Sequence, residues 1–277
     1  MTEFLTVNGG TLAYEVTGDS GPLVVLAHGM GDSRAAYRFL TPDLVTAGYR
    51  VVAVDLRGCG ESSAGWPSYT QADIAGDLIA VLHHLGTPAV LVGHSISGGA
   101  ATIVAADAPT LVTAVIELAP FTRKQKISLR DFRVAPYRRA AVRLLGAGLF
   151  GSVRLWSQYL EFAFPGQKSV DWDARQAEIA AMLREPGRMK AMQRMGMSGT
   201  ADSDSRLGRI ECPVLVVEGT LDPDWTSPQT EGEAIVAALP GGIGTLELIE
   251  GAGHYPHVQF PARVFAAITP FLESVRA

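Results

Sequence analysis

The chain has 277 residues, 47% hydrophobic and 18% charged, with a formal net charge of −5, which is enough to bury one large core and an inserted module. No apolar run approaches the ~18–20 residues of a membrane span, the first residues lack the basic and apolar regions of a signal peptide, and two cysteines, Cys59 and Cys212, cannot build a disulfide framework. These features argue against a membrane-spanning or disulfide-stapled protein, and a cytoplasmic one is expected.

Taken in order, Phe4–Val7 and Leu12–Val16 alternate apolar and polar residues around Asn8-Gly9-Gly10, the pattern of an antiparallel hairpin. Leu23-Val24-Val25-Leu26-Ala27 is a continuous apolar run, as a strand buried on both faces requires. A helix is predicted over Ser33–Ala47 with Gly48 as its stop, then a strand at Val51–Val54, then a helix over Thr70–Leu85 stopped by Gly86. Val90-Leu91-Val92 leads into Gly93-His94-Ser95-Ile96-Ser97-Gly98-Gly99 and an alanine-rich helix reaching about Asp107, and Val112–Leu118 is the next strand. Strands alternating with helices in this way indicate βαβ units and a mostly parallel sheet with a short antiparallel start.

The rhythm breaks after residue 120. From Asp131 to Met197 the periodicity is helical, in pieces punctuated by Pro136, Gly146–Gly151, Pro165-Gly166 and Pro186-Gly187. Five of the seven methionines fall here (Met182, Met189, Met192, Met195, Met197), among several aromatic residues. Residues 121–200 carry 15 Lys and Arg against 6 Asp and Glu, a balance of +9, and the rest of the chain carries 8 against 22, a balance of −14. The split marks residues 121–200 as a separate helical module between two parts of an α/β core, 1–120 and 201–277. Its Met and aromatic content reads either as plain core or as an adaptable apolar pocket. Alternation resumes with Val214–Val217, a helix over Thr230–Leu239, a strand at Leu246–Ile249 and a closing helix over Val258–Val275.

Several turn segments hold residues that chemistry would use. A serine at a sharp strand-to-helix turn exposes its hydroxyl beside the unpaired N–H groups that open the helix. His28-Gly29-Met30-Gly31 follows the third strand, Glu218-Gly219-Thr220-Leu221-Asp222-Pro223-Asp224 a late one, and Gly253-His254-Tyr255-Pro256-His257 the last. In an open parallel sheet such loops meet at the carboxyl edge of the strands, so Ser95, an acid and His254 are expected to converge. Asp224 and Glu117 remain rivals of Asp222 for the acid. His83-His84 and His257 lack metal-ligand spacing, Cys59 has no evident histidine partner, and neither metal nor cofactor is expected.

With His28-Gly29, Asp55-Leu56-Arg57-Gly58-Cys59-Gly60-Glu61-Ser62, Gly93-His94-Ser95, Gly219-Thr220-Leu221-Asp222 and Gly253-His254 in this order, the chain resembles the α/β-hydrolase superfamily. The resemblance implies an eight-stranded, mostly parallel sheet flanked by helices, with an α-helical cap inserted after Leu118. It also implies a Ser95 nucleophile, a His254 base and an Asp222 partner. The Met30 and Ile96 N–H groups would form the oxyanion hole, and His28 and Gly29 would support their loop. Ser97 stands where the G-x-S-x-G pattern has glycine. A similar G-H-S-x-S turn occurs in bacterial stress-signalling hydrolases and plant strigolactone and karrikin receptors. The expected activity is hydrolysis of a carboxylic ester, lactone or thioester. The alternatives are carbon–carbon bond hydrolysis of a diketone or ring-fission product, and a slow-turnover receptor. The expected partner is a small molecule with an apolar or aromatic group, anionic or carrier-linked in view of the +9 module. Nucleic acid and membrane are not expected partners.

Overall fold

The computed structural model describes residues 1–125 and 127–276. Among them, β1 (Thr2–Val7), β2 (Gly10–Thr17), β3 (Leu23–Ala27), β4 (Arg50–Val54), β5 (Ala89–His94), β6 (Val112–Leu118), β7 (Val214–Gly219) and β8 (Gly244–Ile249) form one sheet. Its order is β1-β2-β4-β3-β5-β6-β7-β8. β2 pairs antiparallel with β1 and β4, and every other pairing is parallel, which is the expected eight-stranded arrangement. The continuous apolar runs are the central strands, and β3 and β5 are buried along their whole length.

Helix α1 (Leu40–Thr46) precedes β4, α2 (Gln71–Leu85) follows it, and α3 (Ile96–Asp107) leaves β5 directly. Between β6 and β7 come α4 (Ala135–Phe150), α5 (Val153–Ala163), α6 (Trp172–Arg184), α7 (Arg188–Gly196) and the short α8 (Ala201–Asp204). Helix α9 (Pro228–Ala238) precedes β8, and α10 (Pro256–Gln259) and α11 (Pro261–Ser274) follow it. Alternate strand residues serve opposite layers. Val25, Val52, Leu91 and Val115 pack with α2 and α3, whereas Val24, Val51, Val90 and Ile116 pack with α1 and α11.

Helix ends follow local chemistry. Thr70 and Asp73 bond reciprocally at the start of α2, and Gly86 closes it at φ +67°. Three expectations are corrected. Ser33–Ala47 is not one helix but a 3₁₀ turn, Arg34–Tyr37, followed by α1, because Pro42 is tolerated only in a first turn. The closing helix is broken at Phe260, held at φ −132°, ψ 58° because the proline after it disfavours helical backbone there. Gly146 interrupts nothing. Helix α4 runs through it to Gly151 (φ +60°), and the bare Gly146 backbone admits the Leu155 side chain of α5.

The helices between β6 and β7 share a core of Trp156, Tyr159, Leu160, Ile179, Leu183 and Met192 that continues into Tyr255 and Val258 of the last loop. Further ties are Arg38 to Asp171 (2.5 and 2.6 Å) and Arg175 to Asp32 and Ser33. The aromatic and methionine wealth of this segment is therefore mostly its own core. No helix among the described residues is long and apolar enough to cross a membrane.

His257 is fully buried, stacks on Tyr37 at 5.1 Å, and among the described residues makes no hydrogen bond through either ring nitrogen. Burial pushes its pKa down to about 3. The folded state thus keeps it neutral while the unfolded chain takes up a proton below about pH 6.5, so stability falls as pH drops through that window. We expect His257→Phe to relieve this loss by about 2 kcal/mol at pH 5, measured as a flatter pH dependence of denaturant unfolding. An unchanged pH dependence would refute the assignment.

Candidate active site

The centre of the site is a backbone turn. Ser95 joins β5 to α3 at φ 56°, ψ −121°, a conformation that L-residues rarely adopt and that persists where surroundings over-determine it. Here the Ser95 N–H donates to the Leu118 carbonyl (3.0 Å), and the Ser95 carbonyl accepts from the Gly98 (3.0 Å) and Phe121 (3.1 Å) N–H groups. The turn is tight enough that a Cβ on Gly93 would lie 2.2 Å from the Ser97 carbonyl oxygen, and one on Gly98 would lie 2.6 Å from Pro120. The close approaches fall at 93, 98 and 99, where a Cβ would also lie 2.6 Å from the Phe121 carbonyl oxygen, and leave position 97 able to carry a side chain.

Ser97 uses that freedom. Its buried hydroxyl donates to the His28 carbonyl at 2.6 Å, fastening the start of α3 to the loop after β3. His28 itself is structural. Its Nε2 accepts from the Leu56 N–H (3.1 Å), its Nδ1 lies 2.7 Å from the Gly29 carbonyl, and burial pushes its pKa down. Within the described residues the Met30 and Ile96 N–H groups donate no hydrogen bond, and both residues line the same cavity as Ser95.

His254 is held from three sides. Its Nδ1 lies 2.7 Å from Asp222 Oδ2, its N–H donates to the Ala163 carbonyl (2.9 Å) at the end of α5, and its carbonyl accepts from His94 Nε2 (2.8 Å). Phe121 meets its ring edge-on at 5.7 Å. A second carboxylate also reaches Nδ1, Asp224 Oδ2 at 3.4 Å. The Asp224 N–H donates to Asp222 Oδ1 (2.9 Å), and the Tyr159 hydroxyl of α5 donates to Asp224 Oδ2 (2.6 Å). Burial alone would lower the His254 pKa, but the Asp222 and Asp224 charges overcome it and raise the value to about 9. Burial also raises Asp224, to about 6, against the attraction of His254. An imidazole so placed is built to stabilise its protonated form. No hydrogen bond joins the Ser95 hydroxyl to His254 among the described residues, and such contacts commonly tighten only with substrate bound.

The rival acid Glu117 sits elsewhere. It is fully buried on β6, where the Thr102 and Thr122 hydroxyls bond it, and burial raises it to about 7. Beside it on β7, Glu218 is fully buried with neither oxygen hydrogen-bonded among the described residues, and burial followed by the Asp222 charge pushes it well above the usual range. Both are thereby disposed to stay neutral acids. Burial likewise keeps His94 uncharged and drives the Cys59 thiol up to about 12. Asp222, Asp224 and His254 offer ligand atoms within 4.8 Å of one another, but these atoms already hold each other and Tyr159.

The cavity at Ser95 has a volume of about 370 Å³. Its apolar lining comes from Met30, Ile96, Phe121, Leu144 and Met195, with Gln71 and Lys124 as polar members. Of the five methionines in the inserted segment only Met195 lines it, and Met192 is buried in the helical core while Met197 is exposed. Gln71, Tyr159 and the Ser97 hydroxyl escaped the sequence reading, since no local pattern marks a partner 25 or more residues away.

A family model described as the alpha/beta hydrolase family matches residues 24–268. A Variovorax paradoxus protein carrying the name carbamate hydrolase RutD is 30% identical over 96% of this chain and 97% of its own. Among solved structures, the esterase RhEst1 from Rhodococcus sp. ECU1013 superposes with a TM-score of 0.79 at 26% identity, over 99% of both chains. A thermophilic esterase from Thermogutta terrifontis, solved with malate bound, gives 0.76 at 25% identity over 100% of both.

Removing the Ser97 hydroxyl leaves the buried His28 carbonyl without a donor. Ser97→Ala is expected to cost about 1–3 kcal/mol in denaturant unfolding and to lower turnover by loosening the Met30 loop. Wild-type stability in this variant would show that the bond contributes nothing.

Proposed function

Since the chain belongs to the alpha/beta hydrolase family, we propose that it is a serine hydrolase cleaving a carboxylic ester, lactone or thioester through an acyl-enzyme on Ser95. The observation that carries this reading is the Ser95 turn at the cavity wall, next to two N–H groups with no partner among the described residues. A free alcohol attacks poorly at neutral pH and needs a base. In the proposed sequence His254 takes the Ser95 proton as the hydroxyl oxygen adds to the carbonyl carbon. Asp222 holds the Nδ1–H and stabilises the imidazolium. The oxyanion is received by the Met30 and Ile96 N–H groups, a donor pair of which each member is typically worth ~10²–10³ in rate. Collapse expels the alcohol, thiol or ring oxygen, which takes the proton back from His254. Water then repeats the attack on the acyl-serine, with His254 again as base.

The apolar lining and Lys124 favour a small substrate with an apolar or aromatic acyl part and an anionic group. The carbamate hydrolysis named for the Variovorax relative is the same attack on a carbonyl carbon, so carbamates belong in the substrate panel. In this reading residues 121–200 act as a cap on a core of 1–120 and 201–277, with Leu144 and Met195 as its contribution to the acyl site. Asp224 acts as a second counter-charge on His254, delivered with the help of Tyr159.

A fluorophosphonate probe is expected to label Ser95, and Ser95→Ala to abolish both labelling and turnover. Labelling at another residue, or undiminished turnover, would sink the proposal. The base must be neutral to act, so kcat/KM rises with pH through the His254 pKa, which the two carboxylates hold above 6.5. Asp224→Asn removes one of them and should move that rise to lower pH. A pH–rate profile superimposable on wild type would exclude Asp224 from the proton balance.

A further inference from the structure

The outward side of α4 is at odds with the rest of the surface. Val142, Leu145 and Leu149, spaced i, i+3 and i+7, are 58, 57 and 74% exposed, and Phe150 is 79% exposed. The segment leading into the helix adds Ile127, Leu129 and Val134, again exposed. Together these make up seven of the twelve large apolar side chains that stand in solvent among the described residues. Scattered exposed apolar residues are ordinary, whereas a contiguous set marks a contact surface. The charge is as uneven. Residues 127–154 contain six arginines (130, 133, 138, 139, 143 and 154) and one acidic residue, Asp131.

We propose that this face of α4, with residues 127–134, docks on an anionic lipid–water interface. An amphipathic helix with arginines beside a protruding apolar stripe lies in such a plane, apolar side chains among the acyl chains and cations at the headgroups. A second copy of the chain is a poorer occupant, because pairing α4 with itself sets arginines against arginines with almost no acid between them. The stripe also stands proud on a convex helix, which a fluid interface accepts without a complementary groove. The expectation of no membrane partner rests on the lack of a spanning run, which bears on the bilayer interior and not on its surface. The inner side of the same helix supplies Leu144 to the cavity at Ser95. An amphiphile leaving the interface along α4 therefore has a short apolar route to that cavity.

The test is flotation of the full-length protein with vesicles of equimolar phosphatidylglycerol and phosphatidylcholine, compared with pure phosphatidylcholine, at low and at high salt. Wild type is expected to float with the anionic vesicles and to be released by salt. Leu145→Ser/Leu149→Ser should weaken partitioning more than ~10-fold. Arg138→Gln/Arg139→Gln should erase the preference for anionic over neutral vesicles. Melting temperatures of both variants, altered only at exposed positions, verify that they are folded. The proposal falls if wild type does not float, or if the leucine variant floats equally well. It also falls if sedimentation velocity shows a wild-type dimer that the leucine variant dissolves, since the face is then an interface between copies. Flotation needs no turnover, so failure here leaves the Ser95 chemistry to be judged by its own labelling experiment.

Discussion

The left-handed turn at Ser95 is the constraint from which the site is built. A non-glycine residue in this region of backbone space costs roughly 1–3 kcal/mol, and the chain offsets that cost with the fully buried β3–β5 strand pair and with bonds to Leu118, Gly98 and Phe121. Once the turn is fixed, its neighbours have little freedom. Residue 94 faces the last loop and bonds the His254 carbonyl, and residue 97 faces the β3 loop and bonds the His28 carbonyl. One strained residue thus sets the distance between α3, the loop bearing Met30 and the loop bearing His254.

Charge is rationed around that frame. Buried acids, among them Asp222, Asp224, Glu117 and Glu218, and four buried histidines, His28, His94, His254 and His257, lie near the carboxyl edge of the sheet. Burying an isolated charge is prohibitively unfavourable, and the site admits a proton only where it has a counter-charge. His254 has two carboxylates and is pushed up, while His94 has none and burial outweighs the Asp32 charge at His257, so both are pushed down. Glu218 and Glu117 have no cation beside them and are pushed toward the neutral acid. The contrast among chemically identical side chains sets His254 apart from His94 and His257 as the one able to hold a proton.

The positions of Ser95, Asp222 and His254 at strand ends were readable because short runs of residues encode a strand, a turn and a glycine pattern. Local pattern alone narrows the acid without choosing it, because Asp222, Asp224 and Glu117 all follow or end strands, and only the family resemblance points to Asp222. What separates them is a distance to Nδ1 that only packing sets. Ser97 looked like a departure from a glycine pattern because sequence shows the missing glycine and not the carbonyl that the hydroxyl meets 69 residues away. The methionines of the inserted segment illustrate the same limit. Helical spacing shows that Met192 and Met195 face inward, but not that one enters a helical core and the other a cavity. Prolines 42 and 261 were visible, and their effect on helix boundaries follows from sterics that outweigh apolar periodicity.

The inserted helices are attached to the chemistry through α5, whose Ala163 carbonyl receives the His254 N–H and whose Tyr159 hydroxyl bonds Asp224. A chimera combining this sheet with the insertion of a relative would gain a new cavity lining, but its histidine would lose a backbone anchor and its second carboxylate a phenol. Cavity lining and histidine proton affinity are therefore heritable together in this chain. A lineage that trades one insertion for another has to retune its histidine before the exchange can be useful.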